Sequence, residues 1–201
     1  MQKRLFPLVA VLLLATTVAN AAHARKSRHS HARAKHHHHQ IEREVYVPPY
    51  HPVELNTDSV SADSVIGFAQ TLIGTRYREA SSNPRYGFDC SGFVSYVFKS
   101  FDVKVPRSSQ EFYNAGERIS MDEAKPGDVI LFTGTRSHHP HSIGHVGIVF
   151  SNDGDGLKFI HSTSGKEHGV TITAMDDTYR RRFVQVVRLL KQNDSSVLAS
   201  Q

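Results

Sequence analysis

One cysteine and two histidines are the residues whose types and spacing best suit chemistry done together. Cys90 is the single cysteine in 201 residues. It opens a stripe in which Phe93, Val97 and Phe101, with Val94 and Phe98 beside them, recur at three- and four-residue spacing, so it is predicted to start a helix. The first turn of a helix offers unpaired backbone N–H groups and the positive end of the helix dipole. A sulfur placed there is expected to favour its nucleophilic thiolate, and the same N–H groups suit the oxyanion of a tetrahedral intermediate. Gly92 is expected to leave room for a substrate to reach the sulfur. A lone cysteine forms no internal disulfide, so the thiol is either buried and inert or kept for its reactivity.

A nucleophilic thiol needs a base from elsewhere in the fold. His145 begins the alternating run Gly144-His145-Val146-Gly147-Ile148-Val149 and is expected to share a strand face with Gly147. His161 lies near the end of a second run, Lys158-Phe159-Ile160-His161-Ser162. Adjacent antiparallel strands place such imidazoles side by side, one orienting the other. Taken singly, each histidine reads as an ordinary hydrogen-bonded structural residue. The cysteine at a helix start together with both histidines tips the reading towards catalysis.

The elements that must position these residues are legible in outline. From about Ser59, Val65, Ile66, Ala69, Leu72 and Ile73 form one helical stripe, with Ser61 as N-cap and Gly74 just past the last turn. The cysteine helix follows, and residues 108–115 read as a third, short helix. After Pro126-Gly127 the pattern becomes strands over residues 128–133, 145–150, 157–162 and 183–190, the middle pair joined by the turn-rich Asn152-Asp153-Gly154-Asp155-Gly156. Helices first and strands later predict an α+β domain with one helix packed across an antiparallel sheet.

The N-terminal third has a different character. Residues 1–24 carry Lys3 and Arg4, an apolar run and then small residues, which reads as a secretory signal peptide, too short for an ordinary spanning helix of roughly 20 residues. Residues 25–58 read as a histidine-rich, basic arm and a proline-containing linker, followed by the domain at 59–190 and a flexible tail at 191–201. Residues 23–39 hold seven of the fourteen histidines and no acid, and cannot build a core. Without the first 39 residues the 24 basic groups fall to 17 against 19 acids, so the basic balance belongs to the arm. The arm reads as a solvated spacer, as a tether to an anionic envelope polymer, or as a metal-binding tract.

The segments Gly87-Phe88-Asp89-Cys90-Ser91-Gly92-Phe93-Val94, Val105-Pro106-Arg107, Lys125-Pro126-Gly127-Asp128 and Gly144-His145-Val146-Gly147-Ile148 resemble, in order and spacing, the successive motifs of the NlpC-type cell-wall cysteine peptidases. The resemblance covers roughly residues 59–190. It implies a papain-like α+β core with Cys90, His145 and His161 as the catalytic set. Gly74-Thr75-Arg76-Tyr77 fits a further family stretch, which implies that Tyr77 lines the site and offers its hydroxyl to substrate or oxyanion. Asp89, Ser91 and Arg107 complete the expected substrate-binding set. Arg76, Arg78 and Arg85 join Arg107 as guanidinium forks suited to a carboxylate.

Two stretches depart from the family pattern: residues 78–85 replace a glycine-rich segment, and an insertion at 134–142 brings His138, His139 and His141 near His145. The insertion reads as a polar loop rather than a zinc site, because zinc wants defined ligands on a firm scaffold. No metal or other cofactor is expected.

The resemblance implies an exported enzyme of the periplasm, cell wall or extracellular space. It would hydrolyse peptidoglycan stem peptides through a thioester, at the γ-D-glutamyl bond to the diamino acid first and the D-alanyl cross-link next. An amidase of the cysteine-histidine type, a non-catalytic wall-binding protein and a metal-buffering protein are the competing readings. No nucleotide loop or dinucleotide fingerprint is present, and neither nucleic acid nor a stable membrane span is expected.

Overall fold

The computed structural model describes residues 55–135 and 142–193. The predicted signal peptide, nearly all of the arm and linker, His138, His139 and His141 of the insertion, and the tail from residue 194 lie outside the described residues. No described helix is long and apolar enough to cross a membrane.

Helix α1 (Ala62–Thr71) starts where the sequence predicts, with the Ser61 hydroxyl accepting from Ser64 N–H. Only Val65 and Ala69 of its stripe are fully buried, while Ile73, beyond its end, is exposed. A small hairpin of β1 (Ser82–Asn83) and β2 (Gly87–Phe88) leads into helix α2 (Cys90–Lys99). The predicted third helix shrinks to a 3-10 turn over Glu111–Asn114.

Strands β3 (Glu117–Ile119), β4 (Val129–Thr133), β5 (Ile143–Asp153), β6 (Gly156–Ser162), β7 (Val170–Ala174) and β8 (Phe183–Arg188) form one antiparallel sheet. Their spatial order is β3-β8-β4-β5-β6-β7. The glycine- and aspartate-rich turn closes the β5–β6 hairpin, with Asp153 paired to Gly156. A six-residue helix, α3 (Asp177–Arg182), precedes β8 and was not expected, nor were β3 and β7.

Alternation along the strands sends side chains to two faces. Leu131, Val146, Ile148 and Ile160 meet Phe93, Val94, Val97 and Phe98 of α2 in the larger core. Ile130, Phe132, Val149 and Phe159 form a smaller one, against which Tyr179 of α3 packs. The architecture is the predicted α+β fold, a helix carrying the cysteine laid across an antiparallel sheet.

The Lys125-Pro126-Gly127-Asp128 motif is a structural turn ahead of β4. Asp128, fully buried, accepts from Lys125 N–H at 2.8 Å and is paired with Arg188 through bonds of 2.9 and 3.1 Å. Ordered structure also extends past both predicted limits of the domain. The Thr57 hydroxyl donates to the Leu189 carbonyl, and Lys191–Asn193 forms a 3-10 turn whose Asn193 side chain donates to the Pro126 carbonyl.

Candidate active site

Cys90 is the first residue of α2 because Asp89 caps the helix: its Oδ1 accepts from Gly92 N–H at 2.6 Å. Gly92 serves this turn rather than substrate access. A Cβ at position 92 would strike the Ser81 carbonyl, so the β1–β2 hairpin can lie close against the helix start. The thiol reaches the rim of the sheet where β5 begins, with Sγ 4.0 Å from the Gly144 carbonyl.

His145 and His161 lie on the opposite face of the sheet, among Phe132, Phe159 and Tyr179. Extending the β5–β6 register by one residue pairs Gly147 with His161, so the two imidazoles are diagonal neighbours across Gly147 rather than directly opposed. The missing side chain of Gly147 makes this contact possible, since a Cβ there would sit 3.2 Å from His161 Cβ and 3.0 Å from the Ile160 carbonyl. His145 Nε2 lies 2.7 Å from His161 Nδ1, and His161 Nε2 lies 2.9 Å from Thr173 Oγ1. A line of hydrogen bonds thus runs from His145 through the fully buried His161 to β7.

Cys90 and His145 open onto one cleft of about 930 Å³. Among the described residues no thiol–imidazole hydrogen bond is formed. Catalytic hydrogen bonds are often long before substrate binds and tighten in the complex.

The electrostatics differ from the expectation of a standing thiolate. Burial, and then the Asp89 charge, push the Cys90 thiol above its ordinary value, against the pull of the backbone N–H groups of Val146, Ser91 and Cys90. Burial, then His161 and Arg182, hold His145 well below the usual imidazole range. Burial and then Arg182 hold His161 at about 3. At neutral pH the pair is therefore thiol and neutral imidazole. The helix terminus does favour the anion, but the capping carboxylate one residue away and the desolvated site outweigh it.

Of the expected substrate-binding set, Tyr77, Asp89, Ser91 and Arg107 all line the cleft. Three of them are already knit together. Arg107 donates to both oxygens of Asp89, at 3.0 and 2.6 Å, and to Ser91 Oγ at 3.0 Å. Tyr77 is held by its N–H on the His168 carbonyl and by ring contact with His168.

Arg76, Arg78 and Arg85 are exposed and are not among the described cleft walls, and Arg76 donates to the Tyr86 carbonyl instead. Sequence reasoning missed Thr173, Tyr179 and Arg182. Asp176 before a run ending in three arginines is a helix N-cap signal with a matching basic last turn, and it was available for α3. Among the described residues no group of histidine, cysteine and carboxylate side chains is arranged to hold a metal.

Residues 74–188 match the NlpC/P60 family. A probable endopeptidase NlpC homolog of Haemophilus influenzae is 28% identical over 198 residues, covering 94% of this chain and 100% of the relative. The gamma-DL-glutamyl hydrolase of Bacillus subtilis is 33% identical, over 63% of this chain and 29% of that enzyme. The murein DD-endopeptidase MepH of Escherichia coli is 34% identical, over 59% of this chain and 42% of that enzyme. The chain thus spans less than half the length of either of the latter two. Among solved structures, an NlpC/P60 family protein from Bacillus cereus aligns with a TM-score of 0.56 at 27% identity, over 65% of this chain and 40% of that one. With the family match spanning more than half of the sequence and the fold agreeing, the chain belongs to the NlpC/P60 family.

Proposed function

We propose that this chain is a cysteine peptidase that hydrolyses amide bonds in peptidoglycan stem peptides. The observation that carries the reading is the His145–His161–Thr173 line, whose His145 end opens onto the same cleft as Cys90. When the His161 Nε2–H donates to Thr173 Oγ1, His161 Nδ1 accepts from His145 Nε2–H, and His145 Nδ1 is left as a base. Sγ then attacks the scissile carbonyl carbon while its proton passes to His145. The backbone N–H groups at the start of α2 face the developing oxyanion. His145 returns the proton to the leaving amine as the C–N bond breaks, and water hydrolyses the thioester with the same histidine as base. Starting from a neutral pair, proton transfer and attack are coupled.

The favoured bond is the γ-D-glutamyl link to the diamino acid, in keeping with the name of the Bacillus subtilis relative, and the D-alanyl cross-link is second, in keeping with that of the Escherichia coli one. Mass spectrometry of digested muropeptides tests this. Dipeptide release supports the first bond, and loss of dimers without shortened monomers moves the assignment to the second. Glycan strands stripped of stems make the enzyme an amidase.

The domain plan belongs to the same proposal: export directed by residues 1–24, a tether in the arm that follows, and a peptidase domain that reaches from Thr57 to Asn193, slightly beyond the 59–190 expected from the sequence. Deleting residues 23–39 is expected to weaken sedimentation with walls at low salt, as added salt does to the intact chain, while turnover of soluble peptides stays unchanged. Equal wall retention at every salt concentration removes the tether.

A further inference from the structure

Two arginines of the described structure have carboxylate partners by design of the fold. Arg188 is paired with Asp128 in the interior and Arg107 with Asp89 at the helix start. Arg182 is different. Its Nε and Nη2 donate to the Thr133 carbonyl at 3.0 and 2.7 Å, and its guanidinium lies 5.4 Å from the centre of the Tyr179 ring. It lines the cleft with Cys90 and His145, and among the described residues no carboxylate pairs with it.

A half-buried cation fixed by neutral partners is held in a position that costs solvation, and an arriving anion recovers that cost. Its location says which part of a substrate the anion belongs to. In acyl transfer to a thiol, the base that takes the thiol proton hands it to the leaving amine, so the released residue lies over that histidine. Arg182 stands on the same side: its charge reaches both His145 and His161, and its Thr133 anchor belongs to β4, the strand paired with the start of β5.

We propose that Arg182 is a specificity-determining residue that binds the free α-carboxylate of the residue whose amine is released. The inference rests on the proposed hydrolysis of stem peptides and narrows it. Tripeptide stems, in which the diamino acid ends in a free carboxylate beside the γ-D-glutamyl amide, are then preferred over stems extended at that carboxyl. A carboxylate seated there also offsets the charge that opposes protonation of His145, so binding the right substrate makes the imidazole a better base.

The test uses matched stem peptides that differ only in a free acid or a carboxamide on the leaving residue. Both kcat/KM and binding to the Cys90→Ala protein are measured for each. The parent enzyme is expected to prefer the acid by about tenfold or more, and Arg182→Gln is expected to lose most of that preference, mainly through KM. Arg182→Lys, which keeps the charge without the fork, should retain part of it. Equal use of acid and amide by the parent enzyme overturns the assignment, as does an Arg182→Gln variant that slows both peptides by the same factor. Acid-selective binding that disappears in Cys90→Ala/Arg182→Gln, without turnover of any peptide by the parent, upholds Arg182 and overturns the hydrolytic reading instead.

Discussion

The two faces of the sheet are built for different ends. On the α2 face, Phe93, Val94, Val97 and Phe98 are fully buried in one apolar cluster with the branched side chains Val129, Leu131, Val146, Ile148 and Ile160 of β4, β5 and β6. On the α3 face the apolar floor of Phe132 and Phe159 carries two histidines, a tyrosine and an arginine. Burial does opposite things in the two places. On the first it removes apolar area from water and stabilises the fold. On the second it desolvates titratable groups, holding both imidazoles neutral and raising the tyrosine's ordinary range as well. The proposed site is thus embedded where desolvation of its titratable groups weakens the domain, while the apolar burial on the other face stabilises it.

Substitutions that separate activity from stability break that comparison if it is wrong. Cys90→Ala is expected to abolish turnover and His145→Ala to lower it by up to about 10⁴-fold, with little change in melting temperature. His161→Ala should leave residual activity, since water can replace part of an orienting group. Iodoacetamide labelling of Cys90 should slow in His145→Ala. Unchanged labelling and hydrolysis there would make Cys90 a structural cysteine. Phe93→Ala belongs to the other face: loss of a fully buried ring costs about 3–5 kcal/mol, a factor of hundreds to thousands in the folding equilibrium. Denaturant melts should show that loss, while kcat of the fraction still folded stays close to the parent value. A selective fall in kcat would mean that the α2 core tunes the site directly.

The α2 face was legible in the sequence because its signals are periodic: the Cys90–Phe101 stripe and the runs of β4, β5, β6 and β8 each report burial at helical or strand spacing. Cys90 and the two histidines were legible as a set for the same reason, each sitting at the end of a periodic element. The α3 face was not. Tyr179 and Arg182 lie on a helix too short to show a period, and Thr173 lies on the strand β7, whose Thr171 and Thr173 look like a polar edge. Arg107 lines the cleft as the sequence suggests, but its pairing with Asp89 is hidden by their separation of 18 residues in the chain. The thiol's ionisation was misread because a helix terminus is visible in a sequence, whereas desolvation appears only when the chain is folded.

That desolvation makes stability depend on pH in a known direction. A histidine held neutral in the fold, with His161 at about 3 against an ordinary 6.5, binds its proton in the unfolded chain first. The contribution is fully present above pH 6.5 and is lost as pH falls from there towards 3, by at most about 1.4 kcal/mol per pH unit per histidine, a tenfold change in the equilibrium. Chemical denaturation at steps between about pH 7.5 and about pH 5 should give a shallower slope in His161→Asn than in the parent. Identical slopes would show that His161 is not held neutral by its surroundings.

The smallest expected effect sharpens the comparison most, because it asks whether a hydroxyl on β7 acts on chemistry without touching substrate. Thr173 Oγ1 is 2.9 Å from His161 Nε2, and the ring has two ways to satisfy that contact. If Thr173 accepts, the proton order along the line leaves His145 Nδ1 as an acceptor. If Thr173 donates, the order reverses and His145 Nδ1 carries a proton that cannot be exchanged for the thiol's. Thr173→Val keeps the shape and removes the hydrogen bond, worth about 1 kcal/mol, so kcat should fall about fivefold with KM unchanged. Thr173→Ser should restore it. The nitrogen chemical shifts of His161 give a second readout that a merely structural threonine would not move: the parent should show a protonated Nε2, and the valine variant a mixture of tautomers. A valine variant with the parent's kcat and the parent's shifts would mean that the order of protons is set from the Cys90 end of the line, and that the α3 face merely encloses it.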